Sequence, residues 1–228
     1  MADLAPSRDA PGPTAPRVVA FDIGEVLVDE SRVWATWAEL VGSTPLTFAA
    51  VLGAAIVQGE DHRAVFGHIA PNVDWLSLQE EHERRLGGLQ EQDLYGDVRA
   101  CLQALHRAEV RIVIAGNQPA RRRPQLEALA LAVDDLVTSD DLGVEKPDPT
   151  FFTRLLERSS VERPGELLYV GDRVDNDILP ALEIGIATCW LRRGPWGLLQ
   201  DMPDGVEADI VLEGLGELPD VVASWSDA

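Results

Sequence analysis

Lysine is almost absent from this sequence of 228 residues. Lys146 is the only lysine, and the other 18 of the 19 basic residues are arginine. A general bias toward arginine accounts for the shortage, but it leaves open why position 146 is a lysine. Lysine is a compact point charge with rotatable donors, whereas arginine is a wide planar fork that fits poorly into a narrow pocket of carboxylates. Lys146 is therefore a candidate functional residue.

Cysteine and long apolar runs are scarce as well. The only two cysteines, Cys101 and Cys189, lie far apart, which argues against a disulfide framework and makes a reducing cytoplasm the expected location. No apolar run approaches the ~20 residues that a membrane helix needs. Residues 1–16 are rich in proline and alanine and contain no apolar signal-peptide core, so we expect a disordered tail there.

Positive charge is in short supply, and the formal net charge is −20. So acidic a protein repels nucleic acid and anionic membranes, and we expect it to bind neither. A small anionic substrate would be repelled too, unless a metal ion or a well-placed cation concentrated positive charge at its site. Arg121, Arg122 and Arg123 form the only basic run. A solvated helix face is the favoured interpretation of this run, and substrate contact is the alternative.

Short apolar runs alternate with helical patterns along most of the chain. Buried parallel strands are predicted at residues 18–21, 111–115 and 167–170, and weaker strands at 136–138, 187–191 and 209–212. Helices are predicted at residues 97–107, with Asp97 as the N-cap, and around 151–156 and 178–182. This alternation predicts an α/β fold with a mostly parallel sheet.

The part of the chain after the first strand follows a different pattern. Helices are predicted at residues 33–40, 48–57 and 77–86, and no strand is expected. We therefore predict a helical cap at residues 29–95 and a core formed by residues 17–28 and 96–228. Trp34 and Trp37 are expected to pack inside the cap, with substrate contact as the alternative. His82 lies among charged residues and is expected on a solvated helix face, because its acidic neighbours do not converge with it on a metal.

Polar residues follow the three strongest predicted strands. Asp22, Asn117 and Asp172 stand at their carboxyl ends, Lys146 lies in a turn-rich loop after another strand, and Asp177 follows Asp172. Ligands of open α/β sheets bind at this edge of the sheet. The sequence therefore predicts that these five residues share one site.

Four segments in this order resemble the motifs of the haloacid dehalogenase superfamily, whose largest branch consists of magnesium-dependent phosphatases. Residues 21–27 (FDIGEVL) are similar to its first motif, 115–117 (AGN) to the second, 146–147 (KP) to the third and 171–177 (GDRVDND) to the fourth. The resemblance extends from residue 17 to about 222. It implies a Rossmann-like, three-layer α/β/α core with a small helical cap inserted after the first motif.

The resemblance also implies a reaction with a small phosphorylated metabolite. Asp22 would attack phosphorus and form an aspartyl-phosphate. Lys146 would hold Asp22 ionised and neutralise charge on the phosphoryl oxygens. Gly116 and Asn117 would bind the phosphate group.

A magnesium site is implied by the same motifs. Mg²⁺ is a hard cation that prefers oxygen ligands. Asp22, the backbone carbonyl of Gly24, Asp172 and Asp177 would hold it, with Asp177 orienting a metal-bound water or Lys146. The ion would offset the repulsion between an anionic nucleophile and the phosphate.

Two positions depart from the family pattern. Most of these phosphatases have a second aspartate two residues after the nucleophile, as general acid and base, but here that position is Gly24. Loss of a positioned proton transfer typically costs ~10²–10⁴-fold in rate. Glu25 and Asp29 are candidate replacements, although each is more typical of a turn. Gly116 stands where the second motif has a serine or threonine, so both departures indicate slow or specialised chemistry.

Three functions are compatible with these motifs, and a magnesium-dependent phosphatase is the favoured one. The two glycine departures suggest a non-catalytic, phosphate-binding or regulatory protein instead, although a dead site has little reason to keep buried charges. A metal-independent 2-haloacid dehalogenase also lacks the second aspartate, but it needs no magnesium pocket, and Asp172 and Asp177 are both present. The sequence predicts neither the substrate nor the oligomeric state.

Overall fold

The computed structural model describes residues 16–225. Its centre is a sheet of six strands, namely β1 (Val18–Phe21), β2 (Arg111–Gly116), β3 (Asp135–Thr138), β4 (Leu167–Gly171), β5 (Ala187–Leu191) and β6 (Ile210–Leu212). The strand order is β3-β2-β1-β4-β5-β6, and all neighbouring strands are parallel. The predicted α/β fold is confirmed. Apart from Pro16, the predicted disordered tail lies outside the described residues.

Helices account for most of the remaining described chain. They are α1 (Ser31–Leu40), α2 (Pro45–Val57), α3 (Ala64–Ile69), α4 (Gln79–Leu86), α5 (Val98–Arg107), α6 (Arg123–Ala128), α7 (Ser139–Leu142), α8 (Pro149–Ser159), α9 (Leu179–Ile184), α10 (Gly194–Leu199) and α11 (Leu218–Trp225). Single 3₁₀ turns occur at Trp75–Leu78, Glu91–Asp93, Ala120–Arg122, Pro164–Glu166 and Leu215–Glu217, and a π-helical turn at Val174–Ile178.

Helices cover both faces of the sheet. Alternate strand residues point to opposite faces, and Phe21 of β1 accordingly lies in one hydrophobic cluster while Ala20 lies in another. The first cluster includes Leu102 of α5, and the second includes Phe152 of α8. Burial of apolar side chains on both sides explains why the strands are almost continuously apolar. The result is the predicted three-layer α/β/α core.

The sheet order determines where a site can form. The chain fills one side of β1 with β2 and β3 and the other side with β4, β5 and β6. A crevice opens at the carboxyl ends of the strands where the order reverses in this way. The register aligns Phe21 with Ile114 of β2 and with Val170 of β4. The residues that follow these three strands are therefore neighbours.

A separate hydrophobic cluster holds the helices that follow β1. Trp37 of α1, Phe48 of α2 and Phe66 of α3 pack together, and Trp196 of α10 joins them from the core part of the chain. Between β1 and α5 the described residues form helices and turns without a strand of the sheet. The boundaries of the cap at residues 29 and 95 stay a prediction.

One local prediction was wrong, and a second was right for the position of the residue but not for its contacts. His82 is buried, its ring stacks on Trp37 with a centroid distance of 4.2 Å, and its Nε2 lies 3.1 Å from the Val33 carbonyl. The charged neighbours of His82 cover the other faces of α4, so they did not indicate its environment. Asp97 is the N-cap residue of α5, as predicted, but its carboxylate makes no capping hydrogen bond and accepts from Arg193 and from the Leu215 N–H instead.

No single helix in residues 16–225 is long and apolar enough to cross a membrane. The consecutive helices α1 and α2 reach the required length and composition only when joined, and they are bent by 108° at the break between them.

Candidate active site

The residues predicted at the strand ends meet around one cavity of about 440 Å³. Asp22 after β1, Asn117 after β2, Asp172 after β4 and Lys146 all line it. Asp177 is fully buried and reaches the site through Lys146. The structure therefore brings all five residues together, while their chemical roles stay predictions.

Lys146 is buried among oxygen atoms, with only 1% of its side chain exposed. Its Nζ lies 2.9 Å from Asp22 Oδ1 and 2.6 Å from Asp177 Oδ1, and it donates to the Tyr169 hydroxyl at 2.9 Å. Burial by itself lowers the pKa of a lysine, but the Asp177 and Asp22 carboxylates outweigh it and raise the pKa of Lys146 well above its ordinary value. Lys146 is therefore a fixed positive charge beside Asp22.

Asn117 and Tyr169 hold Lys146 in place. The Asn117 side-chain amide accepts from the Lys146 backbone N–H and donates to the Lys146 carbonyl, both at 2.8 Å. The Tyr169 hydroxyl donates to the Ala115 carbonyl at 2.7 Å and accepts from Lys146 Nζ. The amide of Asn117, predicted to bind phosphate, thus positions the lysine. The sequence does not single out Tyr169, because in an apolar strand it resembles any core residue.

Asp177 is the buried anchor of the loop after β4. Its Oδ2 accepts from the Arg173 backbone N–H at 3.0 Å, and its Oδ1 is taken by Lys146. A Cβ atom on Gly171 would lie only 2.4 Å from the Asp177 Cβ. Glycine at this motif position therefore leaves the room that Asp177 needs, and both carboxylate oxygens of Asp177 have partners within the protein.

Asp172 has a buried oxygen without a partner. Among residues 16–225, no hydrogen-bond partner reaches its Oδ2. Burial raises the pKa of Asp172 well above its ordinary value, and the nearby Asp177 and Asp22 carboxylates act in the same direction. Oxygens of Asp22, Asp172 and Asp177 all lie within 4.8 Å of one another. A buried set of hard oxygen ligands with an unsatisfied carboxylate fits a divalent cation such as Mg²⁺.

Gly24 lies on the cavity wall two residues after Asp22, and the Glu30 carboxylate lies beside it. Of the two predicted replacements for the absent aspartate, Asp29 accepts from the Ser31 N–H at 2.8 Å. Glu25 has a φ of 54° and accepts from the Tyr95 hydroxyl at 2.6 Å. Both carboxylates are thus engaged in local structure, as turn residues are expected to be.

Glu30 lines the cavity and was not predicted from the sequence. Burial raises the pKa of Glu30 to about 7, the Glu25 and Asp22 carboxylates act in the same direction, and Arg122 opposes them. No sequence signal marks Glu30, because it lies outside the four motifs and its position depends on how the chain turns into α1.

Gly116 is packed directly against Asp22. A Cβ atom at position 116 would lie 2.5 Å from Asp22 Oδ1. A serine or threonine here would therefore require the Asp22 carboxylate to shift in this backbone arrangement. The glycine leaves room for that carboxylate, and its phosphate-binding role stays a prediction.

Arginines supply positive charge at the cavity. Arg121 and Arg122 of the basic run line it, together with Arg63 and Arg173. Arg122 is tied to Glu83 at 2.7 Å and Arg173 to Asp175 at 2.7 Å. The side chains of Arg63 and Arg121 make no ion pair with other residues in the range 16–225. Arg121 is exposed and Arg122 is half-buried, and both line the cavity, so a solvated helix face and substrate contact both stay open for them.

A comparison with protein families decides the classification. A family model described as haloacid dehalogenase-like hydrolase matches residues 16–185, which is well over half of the chain. The chain belongs to the haloacid dehalogenase-like hydrolases. The matched segment contains all four motifs and the cavity residues Asp22, Asn117, Lys146 and Asp172.

Curated relatives of this hydrolase include phosphatases. A glyceraldehyde 3-phosphate phosphatase of Methanocaldococcus jannaschii is 40% identical over 89 residues, which cover 39% of this chain and 37% of that protein. A phosphoglycolate phosphatase of Photobacterium profundum is 31% identical over 140 residues, or 60% of this chain and 59% of that protein. The chain thus matches less than two thirds of the length of either relative.

Solved structures share the fold over nearly the whole hydrolase. YfnB from Bacillus subtilis, solved bound to magnesium, aligns with a TM-score of 0.73 at 18% identity, covering 92% of this chain and 99% of YfnB. An L-2-haloacid dehalogenase from Xanthobacter autotrophicus aligns with a TM-score of 0.66 at 20% identity and the same coverage. At these identities the likeness shows the fold alone.

Proposed function

We propose that this protein is a magnesium-dependent phosphatase that hydrolyses a small phosphorylated metabolite through an aspartyl-phosphate on Asp22. The observation that carries the proposal is the 2.9 Å ion pair between Lys146 and Asp22 at the wall of the cavity. The Asp22 side chain is 13% exposed, so it faces the cavity on one side and its cation on the other. This arrangement suits a nucleophile that attacks a bound substrate. The phosphatase names of two relatives support the choice of reaction.

Asp22 and Lys146 divide the work of the first step. An Asp22 oxygen attacks phosphorus, the new phosphorus–oxygen bond forms, and the bond to the leaving-group oxygen breaks. Lys146 keeps Asp22 ionised by its positive charge and stabilises the charge that develops on the phosphoryl oxygens. Water then attacks the aspartyl-phosphate, releases inorganic phosphate and restores Asp22. Two displacements replace one difficult displacement.

Magnesium fits the carboxylates at the base of the cavity. Asp22, Asp172 and the carbonyl of Gly24 would hold it, with Asp177 behind them. When bound, the ion offsets the repulsion between the nucleophile and the phosphate. The unpartnered Oδ2 of Asp172 supports this assignment.

The substrate class follows from the size and charge of the cavity. A volume of about 440 Å³ suits a small molecule. Arg63 and Arg121 at its wall supply local positive charge to a protein whose net charge is −20. An anionic metabolite can therefore be accepted in spite of the overall field.

Phosphate release from a panel of esters tests the proposal. The panel contains phosphoglycolate, glyceraldehyde 3-phosphate, other sugar phosphates and 4-nitrophenyl phosphate, each with Mg²⁺ and with a chelator. We expect Mg²⁺-dependent release by the wild type and by Asp74→Asn, an exposed control, and none by Asp22→Asn. Activity that persists in Asp22→Asn sinks the proposal. Tight binding of a phosphate mimic without turnover of any ester would favour the non-catalytic alternative.

A further inference from the structure

The proposed reaction releases an alcohol, and its leaving oxygen needs a proton. The side chains around the cavity that can supply one include His62 and a group of carboxyl residues, namely Asp22, Glu25, Glu30, Asp140, Glu145 and Asp172. Burial lowers the pKa of His62 to about 4, so near neutral pH the imidazole is neutral and a poor proton donor. The donor therefore has to be sought among the carboxyl groups.

Most of these carboxyl groups already have another task. Asp22 is the nucleophile, and Asp172 belongs to the buried group that fits the metal. Glu25 accepts from the Tyr95 hydroxyl at 2.6 Å and from the Glu30 N–H at 3.1 Å. Asp140 accepts from the Ala120 N–H at 2.8 Å, on an exposed part of the wall.

Two carboxyl groups remain, and their positions differ. Glu145 is exposed at the rim of the cavity. Glu30 is turned inward, where a Cβ atom on Gly24 would lie 2.8 Å from its Cδ and 2.8 Å from its Oε1. The Glu30 carboxyl group thus occupies the space that a side chain at position 24 would take. Position 24 is two residues after the nucleophile Asp22.

The backbone around Glu30 fixes this position. Its N–H donates to Glu25 Oε1, and its carbonyl accepts the Trp34 N–H at 3.0 Å, which starts α1. Within residues 16–225, no cation lies at ion-pair distance from the Glu30 carboxylate. The Glu30 backbone is therefore fixed at the start of α1, and the residue lines the cavity.

We propose that Glu30 is the general acid and base of this phosphatase and replaces the side chain absent at Gly24. In the first step the Glu30 carboxyl group gives its proton to the leaving oxygen as the phosphorus–oxygen bond breaks, and an alcohol departs. In the second step the Glu30 carboxylate takes a proton from the water that attacks the aspartyl-phosphate. Phosphate leaves, and both Asp22 and Glu30 return to their starting states.

The inference rests on the proposed function, and leaving-group dependence tests it separately. An alkyl phosphate needs a proton on its leaving oxygen, whereas 4-nitrophenyl phosphate releases a stable anion without one. We expect Glu30→Gln to lower kcat/KM for an alkyl phosphate by ~10²–10⁴-fold, the usual value of positioned proton transfer. Its kcat/KM for 4-nitrophenyl phosphate should stay close to that of the wild type. With this ester, kcat should fall and a burst of nitrophenol should appear, because the second step also needs Glu30.

Glu39→Gln is the matched control, since Glu39 is exposed on α1, the helix that Glu30 precedes. We expect it to behave as the wild type with both esters. An equal loss for both esters in Glu30→Gln, or no loss for either, would overturn the role of Glu30 while leaving the proposed function intact. If the wild type hydrolyses neither ester, the proposed function itself fails. Melting temperatures of both variants show whether the fold is preserved.

Discussion

At the scale of single residues, Lys146 is the position where lysine and arginine should differ most. Its Nζ is enclosed by Asp22, Asp177 and the Tyr169 hydroxyl, all within 2.9 Å. A planar guanidinium cannot present one compact charge to three partners in so small a space. We expect Lys146→Arg to lower kcat for phosphate release by ~10²-fold or more, the scale of losing one preorganised charge contact.

The control for Lys146→Arg is the opposite exchange, arginine to lysine, at an ion pair on the surface. Arg158 pairs with Asp135 at 2.8 Å, with 43% of the Arg158 side chain exposed, so Arg158→Lys should leave kcat unchanged. Full activity in a folded Lys146→Arg variant would show that any cation serves at this position. The melting temperature distinguishes an altered site from a lost fold.

Single residues also show what the sequence could and could not predict. Asp22, Asn117 and Asp172 were predictable, because an apolar strand ending in a polar residue places that residue at the edge of a parallel sheet. Glu30 was not, since its carboxyl group reaches the site only through the turn before α1. The effect of Gly116 was equally hidden, because its contact with Asp22 joins two distant segments of the chain.

At the scale of secondary-structure elements, Arg32 joins the first and last helices of the segment between β1 and α5. Its guanidinium binds the Asp93 carboxylate at 2.8 and 2.5 Å, donates to the Gly88 carbonyl at 2.6 Å and also contacts the Leu86 carbonyl. Only 6% of the Asp93 side chain is exposed. The start of α1 is thus fixed to the end of α4, beside the turn that holds Glu30.

The charge of Asp93 should make stability depend on pH. Arg32 lowers the pKa of Asp93 below its ordinary 3.8, so this stabilisation is present above pH 3.8 and is lost as the pH falls through the lowered pKa. We expect Asp93→Asn to reduce the free energy of unfolding at pH 7 by about 1.5–3 kcal/mol, as for hydrogen bonds to charged groups. The difference in free energy of unfolding between the wild type and Asp93→Asn should become smaller below pH 3.8.

Urea unfolding at a series of pH values measures this difference. Asp74→Asn, at an exposed residue, is the control, and its free energy of unfolding should follow that of the wild type throughout. A deficit of Asp93→Asn that stays constant from pH 7 down to the acid limit of the fold would contradict a charge-based link between α1 and α4.

Elements differ in how far their surroundings could be predicted. The helices of the core follow their apolar periodicity, as α5 and α8 do. The short helix α3 went unpredicted, because its six residues are too few for a periodic pattern. His82 was misplaced because the aromatic ring that covers it, Trp37, comes from another helix. Packing between elements is not visible in local sequence.

At the scale of the whole molecule, the carboxylates of the site should destabilise the metal-free fold. Asp172 has a raised pKa, so its contribution to stability is present below pH 3.8 and is lost as the pH rises through its folded-state pKa. Asp172→Asn removes this charge. At neutral pH without metal, we expect the variant to melt at the same temperature as the wild type or higher.

With magnesium present, the wild type should melt at a higher temperature than Asp172→Asn. A ligand that binds only the folded state stabilises it by ~2.7 kcal/mol at 100 times its Kd, so Mg²⁺ should raise the melting temperature of the wild type and of the exposed control Asp204→Asn. Asp172→Asn should show no such rise. An equal magnesium shift in Asp172→Asn, or none in the wild type, would remove Asp172 from the metal site.

The architecture of the whole molecule was predictable because its pattern is repeated. Apolar strands alternate with amphipathic helices along the core part of the chain, and parallel sheets are the usual result of that alternation. The charge balance of the cavity was not predictable, because Arg63 and Arg121 come from different parts of the sequence. The net charge of −20 describes the whole surface and not this cavity.

The most direct test of the account is to identify the covalent intermediate. Acid-quenched protein taken during turnover of 4-nitrophenyl phosphate with Mg²⁺ is digested, and its peptides are weighed by mass spectrometry. The account predicts one phosphoryl group on the peptide that contains Asp22, at a higher level in Glu30→Gln and absent in Asp22→Asn. Turnover without any phosphoryl group on that peptide, or with the group on another residue, would contradict it.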